Sequence, residues 1–331
     1  MMYPIPLKIA GMGRYAPEHI VTNDELEARC GLPSGWIEQR TGVHERHWSQ
    51  TETASQMAGH AVRAAVQRAG LSLSDIDLII NASGTPEQVV PDGGALLQRE
   101  LGLTESGIPA FSIHMTCLSF LAALQTAAAY LHAGLYRHIL ISSSEIVSSG
   151  LNFNEPESAT LLGDAAAAVV VTLPETGSNA AVHAMRFETF SSGADFTAIF
   201  GGGTRKHPNN PATRPEDNLF AMNGPRLLGL ALRTVPQFLE HLRPGLSHDL
   251  GDIKMVIPHQ TSKAGFRLLS RFGYPQEKVI STLEHYGNCG AASIPFALST
   301  AHEQGCFQAG DDILLVGTGA GVSIGGIILT F

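Results

Sequence analysis

The amino-acid sequence predicts an α/β protein assembled from two related halves. Helix-forming stretches alternate with short, apolar, β-branched runs of the kind that form buried parallel strands. The pattern also recurs at a nearly constant offset: Asp75 and Asp252 lie 177 residues apart, and Gly134 and Gly310 lie 176 apart. The halves are placed at 1–175 and 176–331. The alternative is a pair of unrelated α/β units in one chain.

Residues 54–82 read as an Ala-rich helix, a turn at Gly70 and a strand in Ser74-Asp75-Ile76-Asp77-Leu78-Ile79-Ile80. A small-residue helix over 117–132 follows, then Ala133-Gly134 and the strand His138-Ile139-Leu140-Ile141-Ser142. The second half repeats this order. A helix over 226–242 leads through Gly251 to Asp252-Ile253-Lys254-Met255-Val256-Ile257. An Ala-rich helix over 289–304 leads through Ala309-Gly310 to Asp312-Ile313-Leu314-Leu315-Val316. Helices this rich in alanine can pack closely between two sheets. Residues 201–218 are dominated by turn formers and predict a surface excursion.

Composition narrows the function classes. The chain has 331 residues, 44% of them hydrophobic and 15% charged, the reverse of a disordered balance. A net charge of −9 without a long basic run argues against nucleic-acid binding, whose affinity comes mostly from phosphate neutralisation. No apolar run approaches about 18 residues, so no membrane span is expected. The start, MMYPIPLKIAGMG, lacks the apolar core of a signal peptide. Cysteines at 30, 117, 289 and 306 form no C-x-x-C pair and read as reduced thiols of a cytoplasmic protein. His44-Glu45-Arg46-His47 lacks a completed ligand set, so no metal and no tightly bound cofactor is expected.

Chemistry in such sheets gathers at the carboxyl ends of strands. Four junctions therefore matter: Asn81–Thr85, His114–Leu118, Pro258–Ser262 and Tyr286–Ala291. Cys117 sits between an apolar run and a helix start, where the helix dipole favours thiolate; the other reading is an inert core thiol. His259 follows Ile257-Pro258, and a core histidine is the plainer alternative. Asn288 precedes a helix, a position asparagine also fills as a cap. If the halves pair, the three converge: a thiol to take an acyl group, and two neutral donors for a thioester oxygen turning into an enolate, with no carboxylate among them. Gly11-Met12-Gly13-Arg14-Tyr15-Ala16 matches a dinucleotide fingerprint, but Pro17 follows at once and no suitably spaced acid exists. The glycines of Gly317-Thr318-Gly319-Ala320-Gly321 are read as backbone approaching a reacting group closely.

Across essentially its whole length the chain resembles the β-ketoacyl-ACP synthase III family of the thiolase superfamily. The resemblance rests on Trp36-Ile37-Glu38-Gln39-Arg40-Thr41-Gly42-Val43, Leu162-Gly163-Asp164-Ala165, Met222-Asn223-Gly224, Pro258-His259-Gln260, Tyr286-Gly287-Asn288 and Ala291-Ala292-Ser293-Ile294-Pro295. It implies a thiolase-like five-layer α-β-α-β-α fold, usually a homodimer. It implies Cys117 as acyl-accepting nucleophile, His259 and Asn288 as decarboxylation donors, and the N–H groups of Cys117 and Ala320 as oxyanion hole. Trp36, Arg40, Asn223 and Gly224 would hold the CoA or pantetheine moiety, and Val90 and Leu118 would line the acyl pocket. Acyl-CoA or acyl-ACP and malonyl-ACP are the implied substrates, in fatty acid biosynthesis, with acyl carrier protein as partner.

The chain departs from the family pattern in places. Thr116-Cys117-Leu118-Ser119-Phe120 replaces Ala-Cys-Ala-Gly-Phe, and Thr261-Ser262 follows His259-Gln260 in place of Ala-Asn. Pro156-Glu157 occupies the region of a CoA-contacting arginine, and Val90 replaces a bulky aromatic. The usual docking arginine falls at Ala264, so Lys263, Arg267 and Arg271, spaced four apart, are the expected carrier-docking stripe. A secondary-metabolic acyltransferase or ketosynthase with the same site is the close alternative; a non-catalytic α/β binding module is the distant one.

Overall fold

A computed structural model describes residues 4–331. The first sheet contains β1 (Lys8–Tyr15), β2 (Leu78–Asn81), β3 (Ala110–Ser112), β4 (His138–Glu145) and β5 (Ala165–Thr172). The second contains β6 (Ala181–Thr189), β7 (Met255–Pro258), β8 (Asp312–Gly319) and β9 (Ser323–Thr330). Their orders are β1-β5-β4-β2-β3 and β6-β9-β8-β7, the latter extended at its β6 edge by Ile5–Pro6. β1/β5 and β5/β4 are antiparallel and β4/β2 parallel; β6/β9 and β9/β8 are antiparallel and β8/β7 parallel. Both sheets thus carry one topology, as the repeat predicts.

Five helices position the site: α1 (Ala54–Arg68), α2 (Ser119–His132), α3 (Gly224–Leu242), α4 (Lys263–Ser270) and α5 (Ser293–Glu303). α1 covers the outer face of the first sheet, and α3 that of the second. α2 touches β4 and β9, and α5 touches β1, β5 and β7, so both lie between the sheets. The layers are therefore α-β-α-β-α. The sequence explains who goes inside. α5 is buried continuously from Ser293 to Ala301, and α2 buries Phe120, Leu121, Leu124 and Leu131 with small residues between them. A helix apolar on every side belongs in an interior. α3 instead buries one stripe, including Leu230, Val235, Phe238, Leu239 and Leu242. The central core draws on both halves, joining Leu121, Leu124 and Ile139 to Ile294, Leu298, Leu315 and Ile327.

Gly11 and Gly13 owe their place to packing. A Cβ on either would stand 2.2 or 2.1 Å from a carbonyl oxygen of α1, so glycine lets strand and helix close up. β2 begins at Leu78, later than the run from Ser74 implies, because Ser72 and Asp75 cap a 3-10 turn over Leu73–Asp75. α5 likewise starts at Ser293, after a 3-10 turn over Gly290–Ala292. The 201–218 excursion lies mostly on the surface, and its neck is closed by the Gly201 N–H on the Asp217 carbonyl (2.6 Å). No helix among the described residues is long and apolar enough to cross a membrane.

Candidate active site

Cys117 lies in the turn between β3 and α2. Thr116 is the one non-glycine residue at positive φ (50°) among the described residues, a conformation costing about 1–2 kcal/mol for an L-residue. Local bonds hold it there. The Ser119 hydroxyl accepts from the Met115 N–H (2.9 Å) and donates to the Thr116 carbonyl (2.7 Å), while the Thr116 hydroxyl donates to the Ala320 carbonyl (3.3 Å).

Missing side chains on β8 let this turn meet the other half. A Cβ on Gly319 would stand 2.6 Å from Thr116 Oγ1, and one on Gly317 2.7 Å from His259 Cβ. The close backbone approach expected of this glycine run is what the structure contains. Leu118 packs over Gly317, Gly319 and Gly325 and is fully buried in the central core. It does not line the cavity, which corrects its assignment to the acyl pocket: the strand glycines leave a hole that Leu118 fills from below.

His259 follows β7, and its N–H donates to the Val316 carbonyl of β8 (2.8 Å). Gln260 braces the turn, donating to the Pro258 carbonyl (2.8 Å) and accepting from the Thr282 N–H (2.8 Å). The imidazole is 5% exposed and its Nδ1 has no hydrogen-bond partner. Burial lowers its pKa to about 4, so the ring is neutral across the physiological range. Asn288 is held through its backbone, donating to Leu161 (2.9 Å) and accepting from Gly163 (3.1 Å). Its Oδ1 accepts from the Gly290 N–H (3.0 Å), and its Nδ2 has one long contact, to the Thr261 carbonyl at 3.5 Å.

One residue escaped the sequence reading. Glu145, the last residue of β4, is wholly buried beside Cys117, although no carboxylate was expected here. Its carboxylate accepts from the N–H groups of Gly84 (2.5 Å) and Thr85 (2.8 Å) and from the Thr85 hydroxyl (2.6 Å). Burial raises its pKa to about 7 against those stabilising bonds. The available signal was a single acid closing the apolar run HILISSSE. The carboxylate changes the view of the thiol. Burial first, then the Glu145 charge, push Cys117 up to about 12, against the lowering influence of the N–H groups of Ala320 and of Cys117 itself. Burial and that charge both oppose the thiolate that the helix start alone favours.

Cys117, Glu145, His259, Asn288 and Ala320 line one cavity of about 1080 Å³. Arg40, Lys263 and Arg267 line the same cavity, and Trp36 lines a separate small pocket that shares Arg40 and Arg267 with it. Arg40 donates from Nε to Glu157 (2.7 Å), the residue standing where the family pattern has a cation. Gly224 lines the cavity, whereas Asn223 caps α3 by accepting from the Arg226 N–H (3.1 Å) and is not in the wall. Lys263 and Arg267 lie on α4, but Arg271 is its C-terminal cap and lies outside the cavity wall. Val90 is 80% exposed and outside the cavity wall, whereas its neighbour Val89 lines the cavity. His44 and His47 serve separate partners, Glu38 (3.4 Å) and the Pro17 carbonyl (2.5 Å).

Fold and site together define a thiol-bearing acyl-transfer enzyme of duplicated five-layer architecture. Residues 111–190 match the family described as 3-oxoacyl-[acyl-carrier-protein (ACP)] synthase III, and residues 246–331 match its C-terminal region. The chain is 32% identical to β-ketoacyl-[acyl-carrier-protein] synthase III of Vesicomyosocius okutanii over 98% of both chains. It is 33% identical to the Rickettsia massiliae enzyme, covering 96% of this chain and 97% of that one. The crystal structure of 3-oxoacyl-[acyl-carrier-protein] synthase III from Aquifex aeolicus superposes with a TM-score of 0.87 at 30% identity, covering 98% of this chain and all of that one. The chain belongs to the β-ketoacyl-[acyl-carrier-protein] synthase III family and is an acyltransferase of the condensing type.

Proposed function

We propose that the protein transfers an acyl group to Cys117 and then condenses it with malonyl-ACP to give a β-ketoacyl-ACP, in fatty acid biosynthesis. The observation that carries this is the meeting of Cys117, His259 and Asn288 in one cavity that Ala320 also lines. In the first step sulfur attacks the carbonyl of an acyl thioester, and the thiol proton leaves with the departing carrier thiol. The N–H groups of Cys117 and Ala320 receive the oxyanion. In the second step malonyl-ACP loses CO₂, and the enolate oxygen takes hydrogen bonds from the imidazole N–H of His259 and the Asn288 amide. The carbanion attacks the acyl-Cys117 carbonyl, and the sulfur departs and is reprotonated. A neutral His259 suits this step, since it donates a hydrogen bond without delivering a full charge that the site would have to solvate.

Acyl-CoA or acyl-ACP would enter past Trp36 and Arg40, with Gly224 beside the arm. Part of the cavity wall is apolar, with Ile199, Phe220, Met222 and Leu228 among its residues. Such a wall favours longer acyl groups by about 0.8 kcal/mol per buried methylene, which supports medium chains over acetyl. Carrier protein would dock by Lys263 and Arg267, local cations on a chain of net charge −9, with Arg271 at the edge. A cytoplasmic homodimer completes the reading; the exposed pair Val89–Val90 beside the cavity is its support. The deciding experiment is intact-protein mass spectrometry after exposure to acyl-CoAs and acyl-ACPs, followed by product analysis with malonyl-ACP. A Cys117 acyl adduct that yields a β-ketoacyl product bears the proposal out. An adduct that passes its acyl group on without loss of CO₂ points to simple acyl transfer, and no adduct refutes the proposal.

A further inference from the structure

We infer that Glu145 is a positioning residue of this site, tying the turn that carries Asn288 to the turn beside Cys117 across the boundary between the halves. The inference rests on the condensing reading above. Gly84 and Thr85 follow β2 in the first half, whereas Gly290 lies two residues after Asn288 in the second. The Glu145 side chain accepts from the N–H groups of Gly84 and Thr85 and from the Thr85 hydroxyl, and its other side packs against Gly290. A carboxylate offers acceptor sites for all three donors; an amide has a single acceptor oxygen and two hydrogens of its own.

Packing reinforces the bonds. A Cβ on Gly290 would lie 3.3 Å from the Glu145 Cγ, so the side chain also fixes how near the Asn288 turn can come. Among the described residues no Lys, Arg or His forms an ion pair with this acid. The titratable groups that feel it are two thiols, Cys117 and Cys289, both of which it pushes toward the protonated form. A buried, unpaired carboxylate is an expensive way to hold a turn. The topologically matching position of the other half is Gly319, so the fold itself does not require a side chain there.

The test compares Glu145→Gln with the wild-type full-length chain. Gln keeps the volume but turns an NH₂ toward N–H donors. With Cys117 pre-acylated, turnover of malonyl-ACP should fall about 10–100-fold in kcat, the scale expected when a reacting group is misplaced by an ångström. KM should stay within about twofold and acylation should fall much less. The pH profile of Cys117 alkylation should also move to lower pH, because a negative charge beside the sulfur is gone. Alkylation needs no malonyl chemistry, so a shifted profile upholds the geometry even if the condensing reading fails. An equal fall in both half-reactions with an unmoved profile means a purely structural role and overturns the inference, as does wild-type behaviour in both. If the Gln variant does not fold, Thr85→Val removes one donor; it should lower malonyl turnover selectively by a smaller factor, and equal or no loss in the two half-reactions overturns the inference.

Discussion

The two halves share a topology and differ where their matching strands end. β4 and β8 are each eight residues long, each pairs antiparallel with one neighbour and parallel with another, and each ends beside the cavity. β4 ends in Glu145, which fills space and collects donors; β8 ends in Gly319, which leaves space for Thr116 and Cys117. The turns that lead into the two central helices contrast in the same way. Each holds a cysteine. Cys117 is half-buried and lines the cavity, whereas Cys289 is 2% exposed, with its Sγ donating to the Tyr286 carbonyl (3.3 Å). Duplication supplies a pair of equivalent platforms, and a few side chains decide which one presents a thiol and which one presents an amide.

The sharpest way to break the contrast is to exchange the thiols' fates. Cys117→Ala should abolish acylation and lower condensation by at least about 10³-fold. Cys289→Ala should leave condensation within about threefold. Intact mass after acyl-CoA exposure reads the first, and steady-state product formation the second. If Cys289→Ala alone removed the adduct, the assignment of the two turns would be reversed.

Next in size are the donors of the second half. His259→Ala or Asn288→Ala should slow malonyl decarboxylation by roughly 10²–10³ while Cys117 still accepts an acyl group. Wild-type condensation by both variants would remove their assigned roles. The pH dependence sharpens this. His259 has a folded pKa of about 4, below its ordinary value of 6.5, so between these values the unfolded chain binds more protons. Its contribution to stability is complete above about pH 6.5 and is lost as pH falls through 4. Decarboxylation by pre-acylated enzyme should therefore show no limb near pH 6.5 attributable to this ring; a limb there that His259→Ala removes would contradict the buried, neutral imidazole.

Smaller effects test the space on the strand. Gly319→Ala places a methyl against Thr116 Oγ1 and should cost about 1–3 kcal/mol in chemical denaturation. Charge reversal at Arg267 together with Arg271 should raise KM for malonyl-ACP about threefold to tenfold and flatten its salt dependence, with little change for a small acyl-CoA. Equal effects on both substrates would remove α4 as the docking face.

Much of this was legible in the sequence because the signals are local. The repeat, the Ala-rich inner helices and the chemistry-bearing junctions follow from periodicity and small-residue content. What was missed depends on contacts across the halves. Glu145 looks like a solvated strand end until Thr85 and Gly290 close around it. Leu118 looks like pocket lining until the glycines of β8 and β9 open a hole for it. The thiol's proton was misjudged for a related reason: the helix start is a local feature, and the opposing carboxylate is brought in from β4.

The inner helices α2 and α5 have a consequence for how the halves depend on each other. Each touches strands of both sheets and lies within the layer shared by the halves. A half-length polypeptide would leave such a helix with one apolar side in water, inviting a second copy to cover it. Each half therefore completes the interior of the other.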